Sequence, residues 1–531
     1  MLEIKNVRFA YAASDGLALD DVSVVVRPGE RIAVFGVNGS GKSTLARIAN
    51  GSAKPISGEV WADGERGVDL VRAVGYVRQD PTCQLVSARV FDEVCFGPAN
   101  LGLERREVVA RANEALARCH AEHLADKGTA ELSGGQQQLI AIAGVIAMRP
   151  RYLVLDEVTS HLDPRAGEEV AILTQSLVDE GVGVLEMVHD VCSALGATRV
   201  MVLKGGRVAW EGAPTDFLGS ARALDVSGLD VDPCARAICA AVRAGANSED
   251  CGDPGSLAAF ALAHGIDRDV LGMLGQRSEA DASPSHHELA LEAATVSYGG
   301  VRALDAVTLA SLKTVTLVAG LSGSGKTTAA CALAGVIDPD DGAALLDGVP
   351  VRPGCVGLAF QRPETQLFAD TVADDIAFGP RNIGLGEAAV VAAVTRAAHE
   401  MGLGDDLLGR SPFSLSGGQR RRVELAGLIA LGYGAYVLDE PSAGLDSFGR
   451  NRLRAFVRRL ARGGASVVVV THAVGEWLSV ADHVVFLRDG RVASSCDAGD
   501  AWASSAPYEA AGLPVPYEVR VRELLGGGAR G

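Results

Sequence analysis

Two stretches of this 531-residue chain carry the same chemical groups in the same order at a nearly constant offset. Lys42 and Lys326 are 284 positions apart; Ser133 and Ser416, Asp156 and Asp439, and His189 and His472 are each 283 apart. Each copy reads G-x-x-x-x-G-K-[ST], a glutamine (Gln79 or Gln361), L-S-G-G-Q, an apolar run ending in Asp-Glu, and a late His. Length alone suggests roughly three to four domains. The repeat sharpens that to two large domains of one topology and a joining segment, with two working phosphate-binding sites.

The first copy opens with an antiparallel-looking stretch, Leu2 to Val26, ending at Pro28-Gly29. The apolar run Arg31 to Phe35 leads into the glycine loop Gly36 to Lys42, and a helix follows from Ser43. Strand, loop and helix in that order are the context in which a glycine loop holds phosphate. Residues 87–120 and Gln136 to Met148 have helical periodicity. Tyr152 to Leu155 and Val182 to Val188 are short continuous apolar runs, the pattern of parallel strands buried on both faces. In the second copy, strands are expected at Val315 to Ala319, Tyr436 to Leu438 and Val467 to Val470, and a helix at Val423 to Leu431.

Between the copies, from about Pro214 to Glu288, the composition shifts to Ala, Gly, Asp and Ser. Cys251 to Ser256 and Ser278 to His287 read as loop or linker. Gly228-Leu229-Asp230-Val231 followed by a helix from Cys234 to Ala244 echoes Gly512-Leu513-Pro514-Val515 followed by Tyr517 to Leu525. The expected division is 1–213 and 289–500 for the two domains, 214–288 for an appendage plus linker, and 501–531 for a second appendage.

The formal net charge of −17 argues against a nucleic-acid partner, which needs clustered Lys and Arg. The ten cysteines are scattered with no C-x-x-C pair, so reduced and mostly buried thiols are expected rather than a disulfide framework. The opening Met1-Leu-Glu-Ile-Lys has no apolar signal core, and no apolar run reaches the roughly 18 residues of a spanning helix. A membrane role is therefore expected to come through partners.

The loops GVNGSGKS and GLSGSGKT give the backbone freedom to turn N–H groups onto phosphates, and the helix after each adds a favourable field. Lys42 and Lys326 would reach the β- and γ-phosphates, and Ser43 and Thr327 would ligate Mg²⁺. One such loop can arise by chance in a Gly-rich chain; two in matching contexts do not. Asp156 and Asp439 end apolar strands, where a carboxylate holds Mg²⁺ through water. Glu157 and Glu440 come next and are expected on the other side of the strand, each orienting the attacking water. His189 and His472 follow apolar strands and are placed to contact the γ-phosphate. Cys119, His120 and His123 resemble a metal cluster in spacing only, with no fourth ligand, and read as an ordinary exposed helix.

L-S-G-G-Q, at Leu132 to Gln136 and Leu415 to Gln419, resembles the signature of ABC-type ATPases. The likeness covers nearly the whole chain. It implies an α/β fold of two P-loop nucleotide-binding domains in tandem, each with a mixed, mainly parallel sheet core, an antiparallel β subdomain and a helical subdomain. It also implies a head-to-tail pairing of the halves, in which each ATP lies between one glycine loop and the opposite signature. Lys42 would then work with Ser416 and Gly418, and Lys326 with Ser133 and Gly135. Tyr11 and Tyr298 match the aromatic residue that stacks on adenine. Gln79 and Gln361 match a glutamine that touches Mg²⁺ and the attacking water, and Asp163 and Asp446 match an interface loop. In the first half the implied ATP contacts are Gly36, Asn38, Gly39, Ser40, Gly41, Lys42, Ser43 and Thr44, with Ser133, Gly134, Gly135 and Gln136. In the second they are Gly320, Ser322, Gly323, Ser324, Gly325, Lys326, Thr327 and Thr328, with Ser416, Gly417, Gly418 and Gln419.

A narrower resemblance follows the glutamines. Q-x-P-x-x-Q-L and then F-G-P-x-N-x-G-L occur in both halves and are similar to the ATPases of energy-coupling factor (ECF) importers. Those ATPases drive uptake of vitamins and transition-metal ions through a membrane T component and a substrate-binding S component. Asp-Glu-Val-Thr-Ser (156–160) resembles one of that family's two ATPase types, and Asp-Glu-Pro-Ser-Ala-Gly-Leu-Asp (439–446) resembles the other. The chain would be both types fused, acting at the cytoplasmic face of the membrane. Asp92, Glu93, Asp374 and Asp375 fall in the segment that meets the T component and would pair with its Arg residues. Four positions depart from the pattern: Arg78 replaces an aromatic, Thr82-Cys83 replaces an acidic position, His161 a small or apolar residue, and Ser447 a proline. None removes a catalytic group. The rival readings are the ATPase of a conventional importer, in which one site is often degraded, and a soluble ABC protein acting on ribosomes or DNA.

Overall fold

The computed structural model describes residues 1–11, 16–64, 66, 70–159, 162, 164–229, 232–266, 287–312, 314–445 and 447–527. It divides into two compact units, Met1–Ile266 and Asp267–Gly531.

In the first unit, β1 (Leu2–Phe9) pairs antiparallel with β2 (Leu19–Val26). The next strands are β3 (Arg31–Phe35), β4 (Ser57–Ala62) and β5 (Val74–Val77). β6 (Tyr152–Asp156), β7 (Gly183–Met187), β8 (Arg199–Lys204) and β9 (Arg207–Gly212) complete the unit. A three-stranded sheet runs β2-β1-β4, and a six-stranded sheet runs β5-β6-β7-β3-β8-β9. All neighbours in the larger sheet are parallel except β8 and β9. β3, β6 and β7 are buried along their whole length, because both faces are covered, one of them by the three-stranded sheet together with the Lys42–Ala49 helix. Helices Val90–Asn100, Arg105–Arg118 and Gly134–Ile146 form a helical subdomain whose apolar residues, among them Val94, Leu116 and Ile142, share one core with Val77, Leu153, Leu155 and Val184 of the large sheet.

The second unit repeats this plan. Its strands begin with β10 (Leu289–Tyr298), β11 (Val301–Leu312), β12 (Val315–Ala319), β13 (Asp341–Leu346) and β14 (Val349–Pro350). They continue with β15 (Gly357–Ala359), β16 (Ala435–Asp439), β17 (Ser466–Thr471), β18 (His483–Arg488) and β19 (Arg491–Asp497). The antiparallel sheet is β11-β10-β13-β14 and the large sheet β15-β16-β17-β12-β18-β19, in the same order as the first.

Each large sheet is followed by short helices. Gly228 and Gly512, at φ 66° and 70°, end the Ala221–Ser227 and Ala506–Ala511 helices in the left-handed conformation that glycine adopts most readily. The helices Pro233–Arg243 and Tyr517–Gly527 then follow. The expected loop at Cys251 to Ser256 is instead a helix boundary. Helices Ser248–Gly252 and Pro254–Ala263 flank Asp253, whose carboxylate caps the second by accepting from Gly255 N and Ser256 N. Of the expected linker, 278–286 lie outside the described residues, and His287 bonds Asp347 through Nδ1 at 2.9 Å. All ten cysteines are free and five are buried. Among the described residues no helix is long and apolar enough to cross a membrane.

Candidate functional site

The strand order explains why the motifs meet. β3 lies between β7 and β8, and β6 lies beyond β7. The carboxyl ends of parallel neighbours therefore bring together the glycine loop after β3, His189 after β7 and the Asp-Glu pair at the end of β6, on the edge where open α/β sheets bind ligands.

The Lys42–Ala49 helix starts directly from the loop, with Gly41 as N-cap at φ 105°. A Cβ on Gly41 would sit 2.7 Å from Ala18 O and Leu19 Cδ2, so glycine is required for both its conformation and its space. Gly325, at φ 96°, repeats this against Ala303 O at 2.4 Å. Lys42 Nζ donates to Gly36 O at 2.5 Å; Lys326 Nζ donates to Gly320 O at 2.8 Å and Leu321 O at 2.7 Å. Each lysine thus folds back across its own loop. Ser40 Oγ and Ser324 Oγ are buried inside the loops without a hydrogen-bond partner, and Asn38, Gly39, Ser322 and Gly323 are exposed at the loop tips. Unpartnered polar atoms in a glycine-lined cradle fit a phosphate group.

Ser43 Oγ donates to Asp156 Oδ1 at 3.1 Å, and Thr327 Oγ1 donates to Asp439 Oδ2 at 2.9 Å. A hydroxyl and a carboxylate side by side are a hard-oxygen donor set suited to Mg²⁺. Burial, with the neighbouring Glu440 charge adding to it, pushes the Asp439 carboxyl up to about 6. Burial, reinforced by Glu157, also raises Asp156. A divalent cation supplies the positive charge that would return both to carboxylates.

Glu157 and Glu440 depart from the expected alternation. Both lie just past their strands with positive φ, 53° and 46°. A non-glycine residue in this region costs on the order of 1–3 kcal/mol, and such strain clusters at functional sites. The turn, rather than the pleat, aims each carboxylate. Glu157 receives three of the expected residues: Lys42 Nζ at 3.4 Å, Gln79 Nε2 at 3.0 Å and His189 Nε2 at 2.5 Å. Burial alone would raise its pKa, but the bond and charge of His189, together with Lys42, outweigh it and hold the carboxyl down at about 2. Glu440 meets His472 instead through Nδ1, at 2.6 Å, and through the His472 backbone N–H at 3.0 Å.

Ser133 and Ser416 each cap the helix that follows. Their Oγ atoms accept from Gln136 N and Gln419 N, both at 3.3 Å, and the glutamine side chains reach back to the serine N–H groups. Gly134, Gly135 and Gly417 remain at least partly open and Gly418 is buried. Tyr11 is 41% and Tyr298 52% exposed, so both rings are open to solvent; the Tyr11 hydroxyl lies 3.0 Å from Thr44 Oγ1. Thr328 is half-buried. Asp163, Asp446 and His161 lie outside the described residues.

Several supporting residues escape motif reading. Gln84 accepts from Arg78 N at 2.9 Å and donates to Tyr76 O at 3.3 Å; Gln366 does the same with Phe360 N at 3.0 Å and Leu358 O at 2.9 Å. These are the second glutamines of Q-x-P-x-x-Q, and they close each glutamine loop into a ring. The repeated motif is the signal for them. Tyr76 donates to Asp156 Oδ2 at 3.1 Å, and its counterpart in β15 is Leu358; no pattern announces that bond.

The acids beyond the loop have other duties. Glu93 is buried and accepts from Val86 N and Ser87 N; Asp375 accepts from Phe368 N and Ala369 N. Both are local caps, each through one carboxylate oxygen, and Glu93 is closed off from solvent while Asp375 is half-buried. Asp92 is exposed, and Asp374 lies 3.2 Å from Arg381 within the chain. Cys119 is buried, not exposed, and burial pushes its thiol up to about 12. No metal-holding cluster of His, Cys, Asp or Glu occurs among the described residues.

The family model described as ABC transporter matches residues 19–160 and 307–443. An ABC transporter ATP-binding protein of Bifidobacterium longum is 35% identical over 523 residues, covering 91% of this chain and 64% of that protein. A second, from Caldanaerobacter subterraneus, is 30% identical over 518 residues, covering 92% of this chain and 90% of that one. The energy-coupling factor transporter ATP-binding protein EcfA1 of Lactiplantibacillus plantarum is 40% identical over 251 residues, 46% of this chain and 89% of its own length. With the family model matched twice and two glycine loops, two Asp-Glu pairs and two capped signature helices in place, the chain belongs to the ABC transporter family as a tandem pair of ATPase domains.

Proposed function

We propose that this chain is the ATP-hydrolysing subunit of an energy-coupling factor importer. It drives uptake of a vitamin or a transition-metal ion through a membrane T component and a substrate-binding S component. The observation that carries this reading is the 40% identity of nearly half the chain to an energy-coupling factor ATP-binding protein. The paired Q-x-P-x-x-Q-L and F-G-P-x-N-x-G-L runs support it. The chain acts at the cytoplasmic face of the membrane, and of the acids named for the T component, Asp92, Asp374 and Asp375 are open enough to meet its Arg residues.

In each site, Lys42 or Lys326 and the loop N–H groups bind the phosphates, and Ser43 with Asp156, or Thr327 with Asp439, would hold Mg²⁺. Bound there, the ion would supply positive charge to offset that developing on the transferred phosphoryl group. Glu157 or Glu440 orients the attacking water. Gln79 or Gln361 would help hold the ion and the water, and His189 or His472 would face the γ-phosphate. Most of the rate comes from positioning and charge stabilisation.

The test is affinity purification of the tagged chain from detergent-solubilised membranes of its own host, with mass spectrometry of co-purifying proteins. A T-like membrane protein with small, very hydrophobic S-like proteins is expected. A conventional permease pair would move the chain to another importer class. Recovery of ribosomal or other soluble proteins alone would overturn the transport reading.

A further inference from the structure

The two halves support the same catalytic loop by different chemistry. In the first, Gln138, on the helix after the first signature, donates to Arg78 O at 3.1 Å. The matching residue in the second half, 283 positions on, is Arg421. Arg421 is 1% exposed, and its Nη1 and Nη2 donate to the carbonyls of Phe360 and Gln361. Its charge is met by Glu424, one helical turn on, at 2.8 Å. Glu424 also accepts from Phe360 N at 3.1 Å. The first half has Ala141 at the Glu424 position.

We propose that Arg421 and Glu424 are positioning residues that lock the backbone at Gln361 to the second signature helix and thereby set turnover at the second glycine loop's ATP site. A guanidinium holds two carbonyls in a fixed planar fork, which a neutral amide with one bond does not. The carbonyls it holds are those of Gln361 and the residue before it. Movement of the signature helix is transmitted to this loop without slack in the second half, and through a single amide in the first. A buried charge pair is a poor device for stability alone, since apolar residues of the same volume serve as well or better. Its geometry on the loop is what the pair adds.

This rests on the reading that Gln361 serves the reaction, so the test includes Gln361→Ala. ATPase kinetics of the full chain, all in a Glu157→Gln background that silences the first site, are compared for the unaltered second site, R421Q/E424A, R421K and Q361A, with KM for ATP, kcat, the Mg²⁺ concentration for half-maximal rate and the melting temperature. R421Q/E424A installs the first half's own residues and strands no charge, so it folds. The expected result is an unchanged melting profile and KM, with kcat lowered about tenfold and the Mg²⁺ requirement raised, short of the roughly hundredfold that a misplaced reacting group costs. R421K, which keeps the charge but cannot span both carbonyls, falls with it. Wild-type kcat and Mg²⁺ dependence in R421Q/E424A, with Q361A impaired, would overturn the positioning role and leave the loop's role standing. Wild-type kcat in Q361A would sink both. Rescue by R421K would reduce the pair to its charge and also refute the proposal.

Discussion

Arg31 and Glu186 form a buried ion pair in the first large sheet, with side chains 7% and 6% exposed. Arg31 Nη2 and Nε lie 2.7 and 2.9 Å from Glu186 Oε2. Burial raises the Glu186 carboxyl, the Arg31 charge opposing it and Asp190 adding to it. The second sheet supplies an internal comparison. Arg31 faces Val184 and Ala33 faces Glu186; the matching pairs are Val315 with Val467 and Leu317 with Val469. Two valines stand where the first half has the ion pair, and Leu317 restores volume where the first half has Ala33. The same sheet therefore forms without the charges.

Glu186→Leu alone leaves a guanidinium buried and unpaired, which costs about 3–5 kcal/mol. At about 2–4 °C per kcal/mol for a unit of this size, the first unit's transition should fall by roughly 6–20 °C. Arg31→Met with Glu186→Leu keeps the volume and removes both charges. It should melt within a few degrees of wild type, or above it, because apolar replacement of a buried pair is neutral or stabilising by about 1–4 kcal/mol. Two units melt in one chain, so calorimetry should be joined to hydrogen exchange read by mass spectrometry, with peptides from β3 and β7 reporting the unit affected. Equal destabilisation by the single and double variants would refute the reasoning, since the cost would then come from lost packing and not from a stranded charge.

Glu157→Gln combined with Glu440→Gln should lower ATPase turnover by roughly 10²–10⁴-fold, the usual worth of a positioned acid–base group, with ATP binding retained; unchanged turnover would remove both residues from the catalytic set. Glu424 is raised by burial to about 7 from 4.5, with Arg421 opposing the shift. The folded chain therefore holds this proton more tightly than the unfolded chain does. Glu424's contribution to stability falls as pH rises from about 4.5 to about 7 and then levels, so Glu424→Gln should flatten the melting temperature across that window. Gln84→Ala should speed hydrogen exchange at Arg78 more than Gln366→Ala does at Phe360, because Phe360 N also has Glu424 as an acceptor. Equal acceleration at the two amides would show that Glu424 does not hold Phe360.

The glycine loops, their strands and their helices were legible because each rests on a local requirement: a left-handed glycine, an apolar run, a helix start. The direction of Glu157 and Glu440 was not, since alternation along a strand says nothing about a residue that leaves the strand with positive φ. Asp253-Pro254 reads as a turn by composition, yet the same two residues cap and open a helix. Glu93 and Asp375 look like free acids in the sequence. Only the fold of the preceding turn brings two backbone N–H groups onto each. Arg421 and Glu424 stand in a run of charged residues, and nothing local separates them from Arg420 and Arg422, which are only half-buried.

What distinguishes the halves is therefore not the set of reacting groups, which is duplicated in full, but what holds those groups. Asp156 has Tyr76 as well as Ser43, whereas the Tyr76 position beside Asp439 is Leu358. Glu157 takes His189 through Nε2, and Glu440 takes His472 through Nδ1 and a backbone N–H. One glutamine loop hangs from an amide and the other from a buried guanidinium. On the proposed function, two sites with the same groups and unequal supports would reach the same transition state with different freedom to move. Differences in turnover between them should accordingly follow exchange of these supports between the halves, and not exchange of the glycine loops.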